Sequence, residues 1–181
     1  MNRLLAFYSA EHPDDRGRLL EDILGQDDRW LETTHDYIQW LFPLRERSGA
    51  NASAPVLDED VIRAFREDAL LRRRLLDSWL RMLSFYGLTV RQGRIVKADH
   101  WADRKHDWFT QPTHNDLRIT RILKSLSLLG LHEEAARFLA CLETLRRSEA
   151  DCGVCDEAIA YWREAVPVQP QAMPAAPRRA R

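Results

Sequence analysis

The residues whose types and spacing could do chemistry fall in a few short strings. HNDLRITRILKSLSLLGL, residues 114–131, sets Arg118, Arg121 and Lys124 beside a dense apolar stripe. At about 100° per residue on a helix, Ile119, Ile122, Leu123, Leu126 and Leu129 fill one sector. Leu117, Arg121, Lys124 and Leu128 lie opposite, with Arg118 between the two. Leucines gain nothing from water, so this mixed face admits three readings. Other helices cover both sides while the bases snorkel outward, the face binds a partner, or it binds phosphate or nucleic acid.

Other strings offer less. Cys152-Gly-Val-Cys155 has redox spacing ahead of a helix, but no strand–helix–strand context supports it, and one CxxC supplies half of a zinc site even with Cys141 and His132 nearby. His35, one turn after Glu32 and one before Gln39, could move a proton, yet no nucleophile pattern or oxyanion loop accompanies it. A helix, a Gly-Leu turn and a second helix at 114–148 resemble a DNA-reading pair, but the second opens His132-Glu133-Glu134, and paired acids would face a polyanionic groove. Gly-rich phosphate loops, HExxH, GxSxG and EF-hand strings are absent. The chain is therefore expected to bind rather than catalyse, with no metal and no cofactor.

The elements that must carry these residues read as helices. RGRLLEDILG and DDRWLETTHDYIQWLF each start near an Asp able to accept first-turn N–H bonds. The spacing predicts one continuous second helix, with Leu31, Thr34, Ile38, Leu41 and Phe42 inward, Trp30 and Tyr37 at the edge, and Glu32, Asp36 and Gln39 outward. PLRERSGANASAPVL, residues 43–57, has the composition of a surface loop. Asp58 should cap a helix that turns Val61, Ile62 and Phe65 inward, and the next helix carries Leu71, Leu75, Trp79, Met82 and Tyr86 to a stop at Gly87.

Residues 88–97 have strand chemistry around Gln92-Gly93, a marginal hairpin. The stretch to 113 reads as a connection anchored by Trp101 and Trp108. Helices follow at 114–130, at HEEAARFLACLETLRRSE and at CDEAIAYWREAV. A capping box of Thr113 and Asp116 already occupies the N-terminus of the first of these.

Length and composition bound the rest. A chain of 181 residues with 45% hydrophobic content and six Trp can bury a core. The net charge of −1 gives no global pull toward a polyanion. Locally, acids dominate residues 1–41 and bases residues 91–125, which fits two zones facing each other in the fold. Three cysteines make no disulfide framework, and no apolar run approaches the roughly 18–20 residues of a membrane span, so a cytoplasmic setting is expected. The expected architecture is all-α: about seven helices in one domain over residues 1–165, at most one hairpin, and a disordered Pro/Ala/Arg tail over 166–181.

Two strings, HDYIQWLFPLRE (35–46) and HNDLRITRILKSLSLLGL (114–131), resemble the signature of the N-terminal domain of the opioid growth factor receptor. LEDILGQDDRW (20–30) and LRMLSFYGL (80–88) extend the similarity over roughly residues 7–150. The form resembled is the short bacterial type, without the repeat-rich C-terminal region of the animal receptor. The resemblance implies an all-helical domain with receptor activity toward a peptide or protein, and by convention a membrane-associated label. A peptide with a free amine would want a carboxylate and an aromatic wall, which Asp36, Tyr37 and Trp40 could supply. Candidate partner-binding residues are thus Asp36, Tyr37, Trp40, Arg118, Arg121, Lys124 and Leu128, with a polyanion-binding use of segment 91–124 as the alternative reading.

Overall fold

A computed structural model describes residues 2–49 and 51–168, so the expected tail lies outside the described residues from 169 onward. In chain order the helices are α1 (Arg3–Tyr8), α2 (Leu20–Leu24), α3 (Asp28–Thr33), α4 (Ile38–Leu41), α5 (Glu59–Glu67) and α6 (Ala69–Phe85). The antiparallel hairpin β1 (Leu88–Arg91) and β2 (Arg94–Lys97) comes next. It is followed by α7 (Trp101–Arg104), a 3-10 turn (Lys105–Asp107), α8 (His114–Leu128), α9 (His132–Ser148) and α10 (Asp156–Ala165). The protein is mostly helical with one minor hairpin, as its periodicities predict.

Ten α-helices stand among the described residues instead of about seven. The short Leu4-to-Tyr8 patch forms α1, whose Phe7 and Tyr8 rings pack on Trp40 and Phe65. The 101–104 stretch closes into α7. The helix expected to start near Arg16 starts at Leu20, because the buried Asp14 carboxylate accepts the Arg16 and Arg18 N–H groups and holds 14–18 in a turn.

The main correction is the continuous second helix, which breaks between Thr33 and Ile38. A broken helix strands carbonyls that would have accepted i+4 bonds. Here side chains supply the missing donors, one from within the break and two from elsewhere: the Tyr37 hydroxyl to Leu31 O at 3.0 Å, Arg118 to Thr34 O at 2.8 Å, and the Tyr8 hydroxyl to Leu41 O at 2.5 Å. Arg121 donates to Phe42 O at 3.2 Å and Ser125 Oγ to Pro43 O at 3.0 Å. The break also reorients side chains, and Gln39, expected outward, is buried.

Arginines end other helices in the same way. Arg81 donates to Leu24 O and Gln26 O after α2, Arg72 to Phe65 O in α5, Arg104 to Phe85 O in α6, and Arg66 to Leu128 O in α8. A cation at a helix C-terminus also meets the negative end of the dipole, worth about 0.3–1 kcal/mol where exposed. Much of the basic content is thus structural.

The core is continuous from α1 to α10, and α8 lies at its centre against α9 and α10. Ile119, Ile122, Leu123, Leu126 and Leu129 are all fully buried, as the wheel predicts. Thr113 and Asp116 form the expected capping box. The hairpin turns on Gln92 and Gly93, both with positive φ.

Gly153, inside CGVC, is where backbone meets backbone. It donates to Phe109 O at 2.9 Å, and a Cβ there would lie 2.1 Å from Thr110 O. Burial raises the Cys152 thiol pKa and lifts Cys141 to about 11, the opposite of redox activation. Gly153→Ala should therefore destabilise the protein by about 1–3 kcal/mol, as overpacking does, whereas Cys155→Ser at an exposed position should change stability by less than about 0.5 kcal/mol. Urea unfolding of the two variants checks this ordering.

Candidate functional site

The broken segment and the first turns of α8 form the two walls of a groove of ≈ 500 Å³. One wall carries Ile38, Gln39, Leu44 and Arg47, the other Leu117, Arg121 and Lys124, with His35 and His114 at one end. The walls are locked by Arg118, which is 5% exposed. Its guanidinium donates to Thr34 O, to Asn115 Oδ1 at 3.3 Å and to His35 Nδ1 at 3.0 Å, and it faces the Tyr37 ring. Glu32 lies behind it, accepting from Asn115 and pairing with His114 at 3.3 Å. This is where the acidic N-terminal zone meets the basic one.

The bases of the mixed face have different environments. Lys124 pairs with Glu46 at 2.7 Å on the rim. Among the described residues Arg121 bonds Phe42 O but no carboxylate, and Arg47 reaches Ala52 O but no carboxylate. Burial lowers the Arg121 pKa, and the charge of nearby Glu46 acts against that. Leu117 is 72% exposed at the groove edge, whereas Leu128, expected beside it, packs against the core. Gln39 Nε2 donates to Ser48 Oγ and its Oε1 has no partner, an unmet acceptor in the wall.

Asp36, Tyr37 and Trp40 do not assemble into an amine site. Asp36 and Trp40 line a separate cavity of ≈ 220 Å³, but Arg16 and Arg18 occupy both Asp36 carboxylate oxygens, at 3.0 and 2.9 Å. Burial alone would raise the Asp36 pKa; the arginine hydrogen bonds and charges outweigh it and hold the carboxyl below its usual range. Arg3 already sits 5.1 Å from the Trp40 ring centre. Tyr37 is fully buried, its hydroxyl bonded to Leu31 O and pushed up to about 12 by burial. An incoming ammonium would find each partner already bonded, and two arginines beside it.

Most of the bases behind the polyanion reading of 91–124 are paired, Arg94 and Arg121 being the ones without a carboxylate among the described residues. Arg91, Lys97, Arg104, Lys105, Arg118 and Lys124 pair with Asp99, Glu149, Asp107, Asp151, Glu32 and Glu46 respectively. Sequence reasoning found Arg121 and Lys124 through helical spacing but missed the opposite wall. Leu44 and Arg47 lie in a segment whose composition reads as loop and whose spacing carries no signal of a wall. Among the described residues no group of three or more His, Cys, Asp or Glu could hold a metal ion, and no helix is long and apolar enough to cross a membrane.

Comparison with known proteins places these walls in context. Residues 2–172 match the family model described as the opioid growth factor receptor conserved region. The chain is 42% identical over 141 residues to the opioid growth factor receptor of Mus musculus, covering 73% of this chain and 22% of that protein. Against the Homo sapiens receptor it is 39% identical over 158 residues, 83% of this chain and 23% of the other. Opioid growth factor receptor-like protein 1 of Mus musculus is 39% identical over 132 residues, 70% of this chain and 28% of that protein. The chain thus spans about a quarter of the length of these relatives. No solved structure matches.

His114 gives the groove a pH signature. Burial lowers its pKa first and the Arg118 charge second; Glu32 opposes them, and His35 adds to the lowering. The unfolded imidazole titrates near 6.5 and the folded one lower, so stability is unaffected above that value and falls as pH drops through it, where only the unfolded chain takes the proton. His114→Gln should lose less stability than the native chain on going from about pH 7.5 to 5. Thermal unfolding across that range is the check, and identical slopes would contradict the assignment.

Proposed function

The chain belongs to the opioid growth factor receptor conserved-region family, and from that premise we propose that it is a non-catalytic binding domain that seats a peptide or protein segment in the groove between residues 35–49 and α8. The observation that supports this most is the composition of the groove. Two guanidinium groups without a carboxylate partner among the described residues, Arg121 and Arg47, stand together with an exposed leucine, Leu117. Each costs the free protein something that a bound segment would repay. Leaving Leu117 in water forgoes about 1.5–3 kcal/mol of burial. The walls are also the two strings that carry the family resemblance, 35–46 and 114–131.

A catalytic reading lacks parts. His35 and His114 meet edge to face with ring centres 4.9 Å apart, but their neighbours are Arg118 and Glu32, and the groove contains no thiol. The Mus musculus and Homo sapiens relatives are named opioid growth factor receptors; that Arg16 and Arg18 already hold Asp36 favours the groove over the Asp36 and Trp40 cavity as the seat of a ligand in this chain.

Selection of random peptides displayed on phage tests the proposal, with Arg121→Glu/Lys124→Glu as the paired target. Selected peptides are expected to bind the native chain and to lose at least about tenfold in affinity, about 1.4 kcal/mol, on the double variant. Selected peptides that bind both proteins equally would place recognition elsewhere.

A further inference from the structure

We infer that the groove takes an acidic, aliphatic-rich segment of a partner protein, setting an Asp or Glu carboxylate between Arg121 and Arg47 and an aliphatic side chain on Leu117 and Leu44. The inference rests on the groove being the binding site and goes on to name the chemistry of its occupant.

Charge carries the first half. Arg47, Arg118, Arg121 and Lys124 line the groove and no carboxylate does. Glu46 and Glu32 stand beside it, each already paired with a base, and the excess stays positive even when they are counted. Arg121 is partly desolvated and Arg47 exposed, and neither has a carboxylate partner among the described residues. A desolvated guanidinium without a counter-ion is a site that an anion improves, because charge-assisted bonds strengthen where water is thin.

Side-chain chemistry carries the second half. The groove presents Ile38, Leu44 and Leu117 and no Phe, Tyr or Trp. Single-stranded nucleic acid is held largely by stacking on aromatic faces, which this surface does not offer. An aliphatic side chain, by contrast, gains from Leu117 what Leu117 gains from it.

Glu46 then acts as an internal competitor. On the rim it holds Lys124 at 2.7 Å, where an incoming carboxylate would otherwise pair. Removing its charge should release a third base to the ligand, an increase in binding that misfolding cannot imitate.

Fluorescence anisotropy decides it, using a dye-labelled peptide of about eight residues alternating Glu and Leu, a matching peptide with Gln for Glu, and a single-stranded oligonucleotide of similar charge. The acidic peptide is expected to bind at least about tenfold tighter than its Gln counterpart, to weaken with salt, and to weaken about tenfold in Arg121→Gln. Arg47→Gln, on the exposed segment, gives the same reading if Arg121→Gln fails to fold. Glu46→Gln should tighten binding a few-fold. Equal affinity for the Glu and Gln peptides, with both lost in Arg121→Glu/Lys124→Glu, would overturn the acidic occupant while leaving the groove as the binding site. Binding of the acidic peptide that survives the double variant would overturn both. An oligonucleotide that binds as tightly as the acidic peptide would overturn the inference in favour of nucleic acid.

Discussion

The structure depends on how one interrupted helix disposes of its carbonyls. Between Thr33 and Pro43 the chain leaves helical geometry and returns to it for only four residues, in a place where most of the side chains are buried. Each carbonyl left without a donor there would cost about 1–3 kcal/mol, against a total stability on the order of 5–15 kcal/mol for a domain. A handful left unpaired would unfold it. Arg118, Arg121 and Ser125, spaced along one flank of α8, supply donors for Thr34, Phe42 and Pro43, while Tyr8 and Tyr37 supply them for Leu41 and Leu31. Because α8 also presents the central apolar stripe, it is at once core and cap.

The groove follows from that arrangement. α8 bonds to the segment at Thr34, Phe42 and Pro43, and His35, Ile38 and Gln39, between those anchor points, line a cleft. Two of its bases, Arg118 and Arg121, bond carbonyls at the ends of α3 and α4, the role that Arg66, Arg72, Arg81 and Arg104 play elsewhere. Arg118 turns both terminal nitrogens to structural partners. Arg121 and Arg47 keep donors for something else, which separates recognition from stability on neighbouring turns of one surface.

Much of this architecture was legible in the residues alone. The α8 stripe, the inward faces of α5 and α6, the Asp58 cap, the left-handed Gly87 and the Gln92-Gly93 turn all follow from local rules that tertiary contacts reinforce. The break at 34–37 did not, because Leu31, Ile38 and Leu41 keep helical spacing across it. Its only local signal is the Thr33-Thr34 pair, weakly helical and easily overridden. Asp36 and Trp40 do share a cavity, but Tyr37 is buried away from it and Arg16 and Arg18 hold Asp36, contacts that no local spacing announces. Arg121 and Lys124 were legible because their spacing belongs to α8. Arg47, Leu44 and Gln39 join them only through contacts distant in the chain.

Hydrogen–deuterium exchange of the native chain and Arg118→Met, read peptide by peptide, addresses the capping role most directly. If α8 holds the broken segment through that guanidinium, protection should fall together over residues 31–42 and the first turns of α8, while β1–β2 and the second half of α9 keep theirs. Unchanged protection over 31–42 in the variant would show that the segment holds its own conformation and that the groove does not depend on Arg118.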